Sequence, residues 1–187
     1  MVFETVKSET VYQGRVFDVR REQLRLPDGR MAQIDVVAHH GAVTLLPIDE
    51  EGQIWFVSQY RHPAGRILLE LPAGVMEAGE DPVVTARREI REEIGMAAGK
   101  LQKLGSFFLA PGYSTEYMHV FLATGLQPDP LQADDDELLN IEKMPVELAL
   151  RQAETSQIQD AKTLAALLLA RPHLASLGLA PDTEIGQ

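Results

Sequence analysis

The rhythm of hydrophobic and polar positions changes along the chain, and each change marks an element. Val16–Leu26 shows partial alternation of period two; Pro27-Asp28-Gly29-Arg30 reads as a turn, and Met31–Ala38 returns rich in β-branched residues. The first forty residues therefore read as strands. Ala42–Ile48 and Gln53–Gln59 are nearly all apolar on either side of Asp49-Glu50-Glu51-Gly52, which predicts a second hairpin lying centrally in a sheet. The single Trp, Trp55, falls in this apolar stretch and reads as core.

Beyond Leu71-Pro72-Ala73-Gly74 the period changes. Asp81 is a natural N-cap with Pro82 at the first helical position, and Gly95 is a natural stop, so a helix is expected to about Ile94. Strands resume at Leu104–Leu109 and His119–Ala123, separated by a loop over 110–116. A short strand is expected near Asn140–Met144, then helices over about Val146–Thr155 and Asp160–Leu169, and a loose tail from 176 to 187. Strands, a helix, strands and then helices suggest α+β with a mixed sheet between helix layers, not a regular βαβ winding. The division expected is an N-terminal strand unit over 1–40 and a main domain over 41–175.

Composition narrows the function. A net charge of −11 gives no basic footprint for nucleic acid, yet leaves room for a small anionic substrate held through a metal ion. The absence of cysteine excludes disulfides, thiolate metal sites and a cysteine nucleophile. The start, Met1-Val2-Phe3-Glu4-Thr5-Val6-Lys7, lacks the pattern of a signal peptide, and the longest apolar run, near Leu164–Ala170, is too short for a bilayer. The expectation is a soluble cytoplasmic protein with no membrane or nucleic-acid partner.

The chemistry concentrates on the helix after Gly74. With Glu89 at zero on a helical wheel, Glu92 falls near about −60° and Glu93 near about +40°, while Ala86, Ile90, Val83 and Ile94 share an apolar side. Glu89 and Glu93 are one turn apart. Like charges at that spacing destabilise an isolated helix by a few tenths of a kcal/mol, which invites a cation; hard oxygen ligands suit Mg²⁺ or Mn²⁺. The alternative is a solvated acidic face flanked by arginines.

The spacing decides between them. Gly74, Glu80, Arg88, Glu89, Ile90, Glu92, Glu93, Gly95 and Met96 meet every fixed position of G-x5-E-x7-R-E-(aliphatic)-x-E-E-x-G-(aliphatic). This is the Nudix box, and the chain resembles the Nudix hydrolases, most closely the ADP-ribose and nucleoside diphosphate sugar pyrophosphatase group. Glu70-Leu71-Pro72-Ala73-Gly74, Ala110-Pro111-Gly112-Tyr113-Ser114-Thr115-Glu116, Gln59-Tyr60-Arg61 and Asp160-Ala161-Lys162-Thr163 extend the likeness. Pro111, fifteen residues past Met96, lies close to where that group carries a diagnostic proline.

The resemblance implies an α/β/α sandwich with a mixed sheet, an N-terminal antiparallel β subdomain, and Mg²⁺-dependent hydrolysis of ADP-ribose to AMP and ribose 5-phosphate by in-line attack of water. It implies metal contacts from Glu89, Glu92, Glu93 and the Ala73 carbonyl, with Glu80 and Arg88 orienting the box through a salt bridge. A glutamate in a late acidic loop positions or deprotonates the water; Glu137 is the nearest match, with Asp134, Asp135 and Asp136 as competitors. Arg61 is a candidate for the diphosphate or terminal ribose, or a surface arginine. Glu70 either meets the ligand or pairs with Arg66 or Arg61, and Glu116 is a further candidate for the terminal ribose. Phe17 either stacks on adenine or joins the core, and His39 and His40 lie at a strand end. The group forms homodimers through N-terminal strands that reach the partner's site. Two other readings stay open: the same chemistry on GDP-mannose or ADP-glucose, and a non-catalytic ligand sensor on the same fold.

Overall fold

The computed structural model describes residues 2–132 and 138–180. Three antiparallel strands come first: β1 (Glu4–Gln13), β2 (Asp18–Arg25) and β3 (Met31–Ala38), in the order β1-β2-β3. The turn at 27–30 closes with Gly29 N donating to Leu26 O (2.9 Å) and Leu26 N to Arg30 O (2.8 Å). Every residue of β1 is exposed. This sheet is tied to the rest through β3, where Val37 N donates to Tyr113 O (2.8 Å) and Thr115 N to Val37 O (2.9 Å).

The main body has two further sheets. One holds β4 (Ala42–Pro47), β7 (Ala73–Val75), β8 (Met96–Phe108) and β9 (Tyr117–Pro128) in the order β7-β4-β9-β8; it is mixed, with β4 parallel to β9. The other holds β5 (Gln53–Arg61), β6 (Arg66–Glu70) and β10 (Asn140–Pro145) in the order β10-β5-β6. The expected hairpin of the two apolar runs therefore needs correction. Its turn forms, but β4 and β5 enter different sheets and share only the bridge Ile48–Ile54. Both runs are central, as their composition requires. Val43 and Leu45 pack towards α1 (Pro82–Ile94), while Ala42 and Leu46 pack towards α2 (Val146–Glu154) and α3 (Ala161–Ser176). A strand buried on both faces has no polar side to show. The helices thus lie on opposite sides of the sheets, in an α+β sandwich.

Helix α1 begins and ends where its sequence dictates. Asp81 accepts from Val83 N at 2.8 Å, Pro82 follows, and Gly95 takes the left-handed conformation (φ 69°) that closes the last turn onto Ile90 O. Ala86, Ile90 and Ile94 seat it against Val43, Leu45, Val57, Phe121 and Ala123, whereas Val83 stays largely exposed. Other boundaries differ from expectation. β8 starts at Met96 and β9 continues to Pro128, since the outer parts of this pair are only half covered and show no clean alternation. α3 runs through Pro172 to Ser176, because Ala166, Leu167, Ala170 and Leu174 keep one buried face on both sides of the proline. The chain expected to be loose from 176 is held at its start: Leu179 N donates to Leu174 O (2.9 Å) and its side chain packs on the core. Trp55 is half-buried rather than core; its Nε1 donates to Asp49 (2.9 Å) and Lys143 lies 3.6 Å over its ring.

Among the described residues, no helix is long and apolar enough to cross a membrane.

Candidate active site

The peptide between β6 and α1 is gripped from two sides. On one side stands α1. Glu89 and Glu93, only 7% and 6% exposed, face the Ala73–Gly74 segment. Ala73 N donates to Glu93 Oε2 at 2.9 Å. A methyl group on Gly74 would fall 1.8 Å from the Glu89 carboxyl carbon, so only glycine lets that carboxylate lie against the strand. A third carboxylate, Glu92, is drawn to Arg88 (2.9 Å), which also binds Glu89 (2.6 Å). Arg88 reaches Val75 O (3.3 Å) and Glu80 (3.6 Å) as well, and Glu80 accepts from Glu77 N (3.0 Å). Arg88 therefore ties the helix to the loop before it, the role expected of the Arg88–Glu80 pair. Burial works against the charge on Arg88, but Glu89 and Glu92 outweigh it and hold the guanidinium above its ordinary pKa. The Glu77 N–H holds the Glu80 carboxyl below its usual range.

On the other side stands a network that joins distant segments. Glu70, 1% exposed at the end of β6, takes a bidentate hold from Arg61: Nε to Oε1 and Nη2 to Oε2, both 2.7 Å. The buried Lys162 of α3 ion-pairs with the same carboxylate and with Asp160 (3.0 Å). Asp160 caps α3 by accepting from Thr163 N (3.0 Å) and also accepts from the Thr163 hydroxyl (2.6 Å), which in turn accepts from Leu71 N (2.8 Å). Burial would raise the Glu70 pKa, but the hydrogen bonds from Arg61 and the charge of Lys162 outweigh it and hold the carboxyl below its ordinary range. Arg61 is held above its own ordinary value, first by its hydrogen bonds to Glu70, with further support from the charges of Asp160 and Glu93. The guanidinium is thus within electrostatic reach of Glu93 on α1, and its side chain remains 42% exposed.

Such a donor set fits a hard divalent cation, which can be held by one or two carboxylates with substrate phosphates and waters completing the shell. Glu89 and Glu93 supply two buried carboxylates beside the Ala73 backbone. Among the described residues, no three His, Asp or Glu side chains gather as one ligand group, and Glu92 is held by Arg88.

A Nudix domain matches residues 38–167, well over half of the chain, and a nucleoside diphosphate sugar hydrolase N-terminal domain matches residues 3–34. The chain belongs to the Nudix hydrolase family. It is similar to the ADP-ribose pyrophosphatase of Mycobacterium tuberculosis (strain ATCC 25618 / H37Rv), with 40% identity over 189 residues covering 97% of this chain and 90% of the relative. It is similar as well to the ADP-ribose pyrophosphatase of Bacillus subtilis (strain 168), with 39% identity over 166 residues, 88% and 90% of the two chains. The crystal structure of an ADP compounds hydrolase superposes with a TM-score of 0.84 at 25% identity, covering 96% of this chain and 98% of that one.

The remaining candidates of this Nudix chain lie apart from that cluster in sequence. Glu116 is half-buried, its N–H donating to Ser114 Oγ (3.1 Å). Phe17, 42% exposed, is not core; its ring lies 6.4 Å from that of Tyr12. It lines a cleft of about 170 Å³ with Arg15, Arg20, His39, His40 and Thr115, where the N-terminal sheet meets the 110–116 loop. His39 Nδ1 accepts from Gly41 N (3.0 Å). Glu137, with Asp134, Asp135 and Asp136, lies outside the described residues. Of the two pairings weighed for Glu70, Arg61 is the partner and Arg66 is not. Sequence reasoning assigned no role to Asp160, Lys162 and Thr163; the Asp160-Ala161-Lys162-Thr163 likeness was the only signal pointing to them.

Proposed function

We propose that this Nudix enzyme hydrolyses the pyrophosphate bond of ADP-ribose, releasing AMP and ribose 5-phosphate. The observation that carries the reading is the pair of buried carboxylates, Glu89 and Glu93, closed around the Ala73–Gly74 peptide with no space for a side chain at residue 74. The substrate follows from the names of the two relatives, which align over most of both chains. Glu89, Glu93 and the Ala73 carbonyl would hold Mg²⁺, with Mn²⁺ as a substitute, and Glu92 would join them on release from Arg88. Bound there, the cation supplies charge neutralisation at the diphosphate and a water of lowered pKa.

The chain's own groups do the rest. Arg61 offers its exposed edge to the diphosphate, a contact that suits a planar guanidinium. Glu137 positions or deprotonates the water. Glu116 contacts the terminal ribose, and Phe17 stacks on the base from the N-terminal sheet. That sheet, residues 1–40, is assigned as a unit separate from the 41–175 domain. Val6, Val11, Tyr12, Met31 and Ile34 are each at least two-fifths exposed on it, which supports a homodimer formed through these strands. The enzyme is assigned to the cytoplasm.

The test is release of AMP, GMP and sugar phosphate from a panel of nucleoside diphosphate sugars with Mg²⁺ and with EDTA. ADP-ribose should be turned over fastest, and only with the metal. Faster turnover of GDP-mannose or ADP-glucose would favour the same chemistry on another substrate, which the match to a nucleoside diphosphate sugar hydrolase N-terminal domain also accommodates. No metal-dependent turnover of ADP-ribose sinks the reading.

A further inference from the structure

Arg61 is the candidate phosphate contact, yet two of its donor positions are already spent on Glu70. A guanidinium neutralised by a buried carboxylate would have little attraction left for a diphosphate. The network resolves this by its charge count. Arg61 and Lys162 are positive, and Glu70 and Asp160 are negative, so the four are balanced. Lys162, 8% exposed, lies on the carboxylate that Arg61 grips and on the carboxylate that caps α3. Without it, two carboxylates would face one guanidinium, beside a helix that already presents Glu89 and Glu93.

We propose that Lys162 is a positioning residue for the diphosphate: by sharing the Glu70 carboxylate from the buried side, it leaves the Arg61 guanidinium oriented and effectively cationic towards the substrate. Its ammonium stays off the reacting groups and acts only through Glu70 and Arg61. The same contacts hold the active-site peptide, since Glu70 and Leu71 are fastened to α3 by Lys162 and Thr163, and Ala73 two residues on is fastened to Glu93. This inference rests on the reading of Arg61 as a diphosphate contact.

The affinity of ADP-ribose, measured by calorimetry in EDTA where no turnover occurs, tests it together with kcat and KM in Mg²⁺. Lys162→Met should weaken Kd and raise KM by about tenfold or more, with a much smaller change in kcat. Adding Asp160→Asn restores the charge balance while keeping a good N-cap, so the double variant should recover to within about threefold of wild type. Asp160→Asn alone should bind ADP-ribose about twofold more tightly or better, because it leaves the network with a positive excess. In an Arg61→Ala background, Lys162→Met should add no further loss.

A purely structural lysine predicts otherwise: additive losses in the double variant, weaker binding in Asp160→Asn, or multiplied losses on Arg61→Ala. Any of these, or a wild-type Kd for Lys162→Met, overturns the proposal. If Lys162→Met does not fold, the sign of the change in Asp160→Asn decides, and a Kd at or above wild type overturns it. Failure of the underlying reading looks different. An unchanged Kd for Arg61→Ala removes Arg61 from the substrate and overturns both, whereas weakened Arg61→Ala with unaffected Lys162→Met overturns the role of Lys162 alone.

Discussion

Two charged assemblies hold the 70–74 stretch, one at each end, and they are built on opposite plans. The first lies on one helix. Arg88, Glu89, Glu92 and Glu93 fall within six consecutive residues, with three carboxylates against one guanidinium. The second draws Arg61, Glu70, Asp160 and Lys162 from β5, β6 and α3, and its charges cancel. An unbalanced cluster is a local design whose like charges a cation would relieve. A balanced cluster is a long-range clamp, whose value lies in where it holds its members. Substitutions should therefore separate the two: in the first they should change chemistry and spare the fold, and in the second they should disturb stability and substrate affinity together.

Glu93→Gln carries the largest expected effect. The glutamine keeps an oxygen that can accept from Ala73 N, so the loop stays anchored, and removing a like charge relieves the helix. The proposed metal ligand is lost. Turnover should fall about a thousandfold, with circular dichroism and the unfolding midpoint near wild type. Near-normal turnover would remove the metal from this face of α1.

Glu70→Gln should act in the reverse sense. Breaking a buried charge network by removing one member costs about 3 kcal/mol or more, read as a lowered urea midpoint at neutral pH. The pH dependence supplies its signature. The Glu70 pKa is depressed in the folded chain below its ordinary 4.5. Its contribution is therefore complete above 4.5 and is lost as pH falls through the lower folded value. Wild type should lose stability on acidification through that window, and Glu70→Gln should show a shallower loss. Equal slopes would mean that Glu70 is no more stabilised as an anion in the folded chain than in the unfolded one.

The same contrast governs what could be read from the sequence. The box helix was legible because each of its signals is local: Asp81 and Pro82 at the start, Gly95 at the end, and carboxylates one turn apart. Apolar runs marked β4 and β5 as central strands, since burial on both faces leaves nothing polar to mislead. Their separation into two sheets was not legible, because it is set by which strands they meet, β9 and β10, far along the chain. The half-covered start of β8, the exposed β1 and the passage of α3 through Pro172 carry weak or contrary local patterns. Glu70 and Lys162 are 92 residues apart. No periodicity links them, and only the topology brings the start of α3 to the end of β6.

Gly74→Ala probes the first assembly through its packing rather than its charge. The added methyl meets the end of a flexible side chain, so Glu89 would swing away at modest cost to the fold. A displaced ligand should raise the Mg²⁺ concentration needed for half-maximal rate by about tenfold, with little change in the unfolding midpoint. An unchanged metal requirement would show that Glu89 is not held for the cation.

The smallest effect comes from comparing the two helix caps. Asp81 and Asp160 each accept a backbone N–H in the first turn of a helix, Val83 N at 2.8 Å and Thr163 N at 3.0 Å. Asp81 is exposed, and its carboxylate serves the cap. Asp160 also receives the Thr163 hydroxyl and the Lys162 ammonium, so its carboxylate belongs to the clamp. Asp81→Ala should thus cost about 1 kcal/mol, because Pro82, Gly95 and the buried face of α1 still define the helix. Affinity for ADP-ribose should not change. Asp160→Ala should cost more, since it removes the cap, the partner of a buried ammonium and the acceptor of a buried hydroxyl at once. Equal costs for the two alanine variants would mean that Asp160 is only a cap, and that the balanced charges around Glu70 do not act as one unit.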